Sequence, residues 1–301
     1  MENNFILSLV IPTYNSERFI EPLLSKLILL KNRKDVEVIF VDASNKDNTY
    51  SILSAFISGA PNFSLFNLKH NDVSEQRNLG ITSSKGEYIS FIDSDDLISD
   101  DYCDVLIKEI KANNSDIIIF DFDHIVDERV IKHERYENKI VSNDRGYFFE
   151  LLYHSKYAFN LSAVWAKVFK KELINSVRFV GSFFEDTEFT FEALLKAKTL
   201  HIIDKKLYFY ISKSYVKSLS TFSSERNDLR FYQELNHYKK LRKLRFPTSI
   251  FALENAYNSL LRFKRDDGDF KRYKKVFIKE TKFDFRFKVF LRRVYLFSNN
   301  K

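Results

Sequence analysis

Tyr88-Ile89-Ser90-Phe91-Ile92-Asp93-Ser94-Asp95-Asp96 is the stretch on which the fold turns. A short, almost wholly apolar run reads as a buried strand, and here it is followed at once by three carboxylates. Working outward, Leu7 to Ile11, Val36 to Val41, Phe63 to Leu68 and Asp116 to Phe122 are runs of the same kind. Helical patterns fill the gaps. Glu17 to Leu30 sets Phe19, Leu23, Leu27 and Leu30 on one face, and Ser74 to Ser84 precedes a Lys85-Gly86 stop. Strands alternating with crossover helices predict an α/β fold with a mostly parallel sheet. In such sheets ligands sit beyond the carboxyl ends of the strands, so the residues just after Ile11, Val41 and Ile92 are the ones to inspect.

The bulk composition narrows the class. The chain has 301 residues, 45% of them hydrophobic and 30% charged, which excludes a disordered chain and a polytopic membrane protein. Cys103 is the single cysteine and the six histidines are scattered, so neither a disulfide nor a zinc template is expected, and a reducing, cytoplasmic compartment is the simplest home. Phe5 to Ile11 is too short to span a bilayer and meets Pro12 at once. The net charge of +7 is uneven. From Glu225 onward 21 Lys or Arg face 9 Asp or Glu, a local +12 that leaves −5 for the rest. A basic aromatic tail on a slightly acidic body argues against nucleic acid and for an anionic membrane surface or partner. No long Gly, Pro or Ser linker separates residues 146–215 from the helical region that follows, so a continuous body is expected.

The three strand ends carry the chemistry. Asp93, Asp95 and Asp96 repel one another without a cation, and hard carboxylate oxygens suit Mg²⁺ or Mn²⁺, which keep positions open for a nucleotide's phosphates. The same acids also suit a helix N-cap, and the residues alone leave both readings open. After the first strand, Pro12-Thr13-Tyr14-Asn15 offers a ring on which a base could stack; after the second, Asp42-Ala43-Ser44 offers a carboxylate for a nucleobase N–H. Either could equally be a turn.

The order of these pieces resembles family 2 glycosyltransferases, inverting enzymes with a GT-A fold that often serve bacterial cell-surface polysaccharide synthesis. The resemblance covers roughly residues 5–220 and rests on Leu9-Val10-Ile11-Pro12-Thr13-Tyr14-Asn15, on Val41-Asp42 with Asp47, on Gln76-Arg77-Asn78-Leu79-Gly80 and on Gly86 through Asp96. It implies a Rossmann-like GT-A catalytic domain over residues 1–223, and the helical, basic pattern from Ser224 marks a C-terminal extension over 224–301. It further implies a nucleotide-diphosphate sugar donor, by default a UDP-sugar, with hexosyl or N-acetylhexosaminyl transfer to a saccharide or lipid-linked glycan. By the same resemblance Pro12, Tyr14, Asp42, Arg77 and Ser94 would lie on the donor, and Asp93 and Asp95 would form the metal-binding DXD element for Mn²⁺ or Mg²⁺. Arg77 also reads unaided as a phosphate clamp, a neutraliser of the acidic strand end, or a helix-surface partner of Glu75 or a neighbour. The chain departs from the family in having Ala43 and Ser44 where an acid and a glycine are common.

Inverting transfer needs a group that takes the acceptor hydroxyl's proton. Phe183-Phe184-Glu185-Asp186-Thr187-Glu188-Phe189 opens a helical stretch and resembles the family's Glu-Asp motif, which would make Asp186 the general base and put Glu185 on the acceptor side. Spacing alone equally suits helix capping. Trp165 could stack on a sugar face or belong to the core, and Lys217 falls where related enzymes have a loop that closes over the donor.

In the tail, Phe231, Leu235, Tyr238 and Leu241 fall at helical spacing, and Phe283, Phe287, Phe290, Leu291, Val294 and Phe297 share another face among basic residues. If helical, that second face reads as an interfacial helix on the inner surface of the plasma membrane, or as a contact with the body or with a second copy in a homodimer, while the alternation Phe283, Phe285, Phe287, Val289 could equally begin a strand. Two other functions stay in view: a catalytically degenerate binding or assembly subunit, and a sugar nucleotidyltransferase, although the latter's basic glycine-rich phosphate loop is missing at Pro12 to Asn15. No Gly-x-Gly-x-x-Gly follows the first strand, which argues against a dinucleotide dehydrogenase.

Overall fold

The computed structural model describes residues 5–131, 139–142, 144–153, 162–181, 183–212, 224–245, 249–260 and 268–281. Strands β1 (Leu7–Thr13), β2 (Val36–Asp42), β3 (Phe63–Asn67) and β4 (Tyr88–Phe91) pair in parallel in the order β3-β2-β1-β4. Every residue of β1, β2 and β4 is buried, as expected for strands covered on both faces. The sheet continues through β9 (Lys167–Lys170), which runs antiparallel to both β4 and β6 (Ile117–Val126). Beyond them β10 (Thr199–Ser212) pairs parallel with β6, antiparallel with the two-residue β5 (Leu97–Ile98), and antiparallel with β8 (Lys139–Ser142). A hairpin strand, β7 (Arg129–Ile131), pairs with β6.

The crossovers are helical. Helix α1 (Glu21–Leu27), extended by a 3-10 turn over Ile28–Leu30, joins β1 to β2; α2 (Thr49–Ile57) joins β2 to β3; α3 (Val73–Ser83) joins β3 to β4. Helix α4 (Tyr102–Asn113) leads into β6. The core side of α1 is Leu23, Leu24 and Leu27, whereas Phe19 is 41% exposed. Packing of α3 on the sheet depends on Gly80, because a Cβ there would lie 2.2 Å from Val10 Cγ1. Only a residue without a side chain lets the helix approach so closely. After β9 come α6 (Lys171–Ile174) and α7 (Glu185–Lys196).

The chain does not form the single continuous body expected from the lack of a linker. It divides into one compact unit of residues 1–145 and 159–217 and another of 146–158 and 218–301. No linker marks the division because the second unit is assembled from two separated stretches. Its described elements are α5 (Arg145–Tyr153), α8 (Ser224–Lys243), α9 (Ser249–Leu260) and α10 (Gly268–Thr281). The predicted stripe of Phe231, Leu235, Tyr238 and Leu241 is buried. Phe231 lies 5.3 Å from the ring of Tyr273, Tyr257 lies 5.8 Å from Phe277, and Lys239 pairs with Glu280 at 2.9 Å. Thus α8 turns its apolar face onto neighbouring helices. Among the described residues no helix is long and apolar enough to cross a membrane. Lys217 and the face from Phe283 to Phe297 lie outside the described residues.

Candidate functional site

The carboxyl ends of β1 and β2 are laced together by polar side chains. Thr13 Oγ1 donates to Asp42 Oδ1 at 2.7 Å, and Ser44 donates to the same carboxylate through its hydroxyl at 2.6 Å and its amide at 3.2 Å. Gln76 on α3 donates its amide to the carbonyls of Thr13 at 2.8 Å and Val41 at 2.7 Å. Asn15, in the left-handed region at φ 49°, accepts from the amides of Asn45 and Lys46, and Asp47 accepts from Glu17 and Thr49. Ser44 also accepts from the Asn15 amide at 2.8 Å, so the departure from the family pattern at this position serves loop closure. Pro12 and Asp42 are buried and Tyr14 is half-buried. Ser16 Oγ meets Ser94 Oγ at 3.0 Å, which ties this edge to the end of β4.

Arg77 is the electrostatic centre. Its Nη1 donates to Glu185 Oε1 at 2.8 Å and its Nη2 to Asp93 Oδ1 at 3.0 Å, while its guanidinium carbon lies 5.3 Å from the centre of the Phe179 ring. Burial works against its charge, but the carboxylates of Asp93, Glu185 and Asp186 outweigh that and keep it ionised. Of the three sequence readings for Arg77, the surface pair with Glu75 is not formed: Glu75 pairs with His70 at 2.6 Å. The Arg77 Nε is buried with no hydrogen-bond acceptor.

The acids after β4 separate by environment. Asp93 is half-buried against Arg77. Asp95 belongs to an exposed residue, yet protein crowds its carboxyl, and that enclosure together with the Asp93 charge pushes it up to about 6. Asp96 is buried, accepting from Tyr208 Oη at 2.6 Å and the Ile211 amide at 2.7 Å; burial and then the charges of Asp93 and Asp95 push it well above the usual carboxylate range. Among the described residues no three His, Cys, Asp or Glu side chains are grouped to hold a metal ion. The donor set that is present is the pair Asp93 and Asp95. Small hard cations often take one or two carboxylates and complete their shell with substrate phosphates and water, so this pair fits an ion that arrives with a diphosphate.

Across Arg77 lies the first turn of α7. Phe184 precedes it in the left-handed region at φ 56°, a conformation that is uncommon for a bulky residue. No side-chain cap bond is made at Phe184, but Glu185 and Asp186 occupy the first turn, where their charges complement the helix dipole as the alternative reading from spacing expected. Asp186 Oδ1 accepts from the Thr187 amide at 2.7 Å. Burial, then the neighbouring Glu185 charge, raise the Asp186 carboxyl to about 6 against the opposing pull of Arg77. Lys167 on β9 is fully buried, donates to the Ala163 carbonyl at 2.6 Å, and is depressed to about 7 by burial, which the charge of Asp186 partly offsets.

Trp165 is 6% exposed and belongs to the core, its plane within 9° of the rings of Tyr208 and Tyr210 at 5.1 and 5.2 Å. Of the two roles considered from sequence, this geometry serves packing beneath the acidic loop. Lys167 and Tyr208 carry no role in the sequence reading, and Gln76 enters it only as part of the Gln76 to Gly80 motif. Lys167 had a usable signal, an amine inside the apolar run Ala163 to Phe169, because a buried charge demands a partner.

Residues 8–177 match the family model described as Glycosyl transferase family 2. Glycosyltransferase GlyA of Streptococcus pneumoniae serotype 4 is 26% identical over 212 residues, 68% of this chain; the chain spans only 30% of GlyA's length. The poly(ribitol-phosphate) beta-N-acetylglucosaminyltransferase TarP of Staphylococcus aureus is 27% identical over 244 residues, 78% of this chain and 72% of TarP. The crystal structure of residues 1–349 of S. aureus TarS superposes with a TM-score of 0.65 at 20% identity, covering 88% of this chain and 74% of TarS 1–349. A TarS 1–349 structure in complex with UDP-GlcNAc gives 0.62 at 20% identity, over 92% of this chain and 72% of that one. At these identities the structural likeness concerns the fold.

Proposed function

Because the chain belongs to glycosyl transferase family 2, we propose that it moves a sugar from a nucleotide-diphosphate donor, by default a UDP-sugar, to a saccharide or lipid-linked glycan with inversion at the anomeric carbon. The observation that carries this reading is the bridge through Arg77, which joins the acid at the end of β4 to the acid pair opening α7. A donor pocket and a proton acceptor then share one edge of the sheet.

In this reading Tyr14 and Pro12 adjoin the base, Asp42, bonded to Thr13 and Ser44, holds the strand ends and would take a nucleobase N–H by exchanging one of those bonds, and Ser94 and Arg77 adjoin the diphosphate. Asp93 and Asp95 would hold Mn²⁺ or Mg²⁺, which when bound supplies positive charge to the departing diphosphate. Asp186 takes the proton of the acceptor hydroxyl as its oxygen bonds to the anomeric carbon and the carbon–oxygen bond to the diphosphate breaks. A carboxyl near 6 is ionised at neutral pH yet basic enough for that task. Glu185 keeps Arg77 in place beside it. The UDP-GlcNAc bound in TarS supports a UDP donor, and the names of TarP and TarS, poly(ribitol-phosphate) beta-N-acetylglucosaminyltransferases, support a polymer as the acceptor class.

Residues 1–223 form the catalytic portion in this reading and 224–301 an appendage. With the stripe on α8 already buried, contact with an anionic membrane at the inner face would fall to the basic residues after Thr281, as would a homodimer contact. The test is a thermal-shift screen of UDP-, GDP- and dTDP-sugars with and without Mn²⁺. A metal-dependent rise with one donor class supports the reading; no rise with any donor overturns it.

A further inference from the structure

Strand β10 reaches the acidic loop from a distant part of the sequence and grips it at four points. Tyr208 Oη accepts from the Asp93 amide at 3.1 Å and donates to Asp96 Oδ2 at 2.6 Å. The Ile211 amide donates to Asp96 Oδ1 at 2.7 Å, and the Ser99 amide donates to the Leu207 carbonyl at 3.0 Å. The pairing of Tyr208 with Ile98 and Phe209 with Leu97 closes the loop's far side. Register shifts between Ile203, Lys206 and Tyr208 break the regular pairing with β6 just before this contact, which is how a bulged strand re-aims its side chains. Trp165 then holds the Tyr208 ring in near-parallel stacking.

We infer that Tyr208 and Asp96 are positioning residues: together they form a strut that fixes the backbone from Asp93 to Asp96, so that Asp93 and Asp95 present their carboxylates to a divalent cation and diphosphate, while Asp96 itself is not a ligand. The inference rests on the donor and metal reading above and goes beyond it by separating the third acid from the other two. Both Asp96 oxygens are already engaged by protein donors, and the residue is 1% exposed. An amide in its place could not accept both hydrogens, so the strut requires a carboxylate and a phenol together. The loop is short, and a displaced Asp93 amide carries its own side chain with it.

The experiment is calorimetric titration of the full chain with Mn²⁺ plus UDP for wild type, Tyr208→Phe, Asp96→Asn, the double variant, and Asp95→Ala. Tyr208→Phe keeps the ring against Trp165 and removes only the hydroxyl. Each strut variant is expected to weaken the apparent Mn²⁺ affinity by about tenfold or more, as supporting shells around metal sites do. The double variant should be no worse than the weaker single, because the two groups act as one unit. Raised Mn²⁺ should restore transfer in the strut variants and not in Asp95→Ala, a split that a general loss of structure would not give. Unchanged Mn²⁺ affinity in both single variants, or additive losses in the double, would overturn the strut. No heat in wild type would instead overturn the donor reading. Should the variants fail to fold, hydrogen exchange in wild type decides: the Asp93 amide is expected to be protected, and rapid exchange there refutes the inference.

Discussion

Arg77 on α3 and Glu185 in the first turn of α7 are 108 residues apart in the chain and 2.8 Å apart in the fold. Through the same guanidinium Glu185 is linked to Asp93, so one buried cation sets the spacing of two acidic segments that would otherwise repel. Removing it leaves carboxylates that are mostly covered without their counter-charge.

Arg77→Ala is therefore expected to lower stability by about 3–5 kcal/mol, the usual cost of breaking a buried pair. Arg77→Lys keeps the charge but cannot span both acids, and loss of one charge-assisted bond of about 1.5–3 kcal/mol should reduce kcat/KM by a factor of ten to a hundred. Denaturant titration and donor-saturation kinetics separate the two effects.

The Asp186 carboxyl sits at about 6 because burial and Glu185 raise it more than Arg77 lowers it. A base works when deprotonated, so transfer should fall as pH drops through about 6 and be flat above it on this limb. Asp186→Asn should spare donor binding and reduce turnover by at least about a hundredfold, the lower range for general-base loss. Glu185→Gln removes the neighbouring charge and should move the acidic limb to lower pH. A limb that stays in place in Glu185→Gln, measured by kcat against pH, contradicts the assignment.

Lys167, whose shift is downward, makes a prediction about stability rather than turnover. Its amine is depressed to about 7 in the fold and returns to its ordinary, higher value on unfolding. Between those values the unfolded chain binds the extra proton, so this group makes stability rise with pH from about 7 to 10. Lys167→Met should flatten that rise, and melting temperature against pH across the window reads it out.

Strands β1, β2 and β4 were legible because each is a largely apolar run buried along its whole length, and β3, buried only at Phe63, because of its aromatic and aliphatic residues between turn signals; their far ends follow directly. The acids of the site were legible as residue types for the same reason, since carboxylates after an apolar strand stand out. What joins them was not. Neither helical period nor strand alternation says that Arg77 meets Glu185 rather than Glu75, because that contact is made only when α7 returns to the sheet edge. Strand β10 was hidden by Asp204-Lys205-Lys206, a polar interruption that the fold absorbs as a register shift. Trp165 illustrates the reverse problem: indole suits a sugar and a core equally, and only the rings of Tyr208 and Tyr210 decide.

The most direct measurement is calorimetric titration of the full chain with UDP in the presence and absence of Mn²⁺, repeated on Asp95→Ala. Saturable, manganese-dependent binding in wild type that falls by about tenfold or more in the variant is the outcome predicted for a carboxylate holding the cation beside the diphosphate. Binding that ignores both the metal and Asp95 would contradict it.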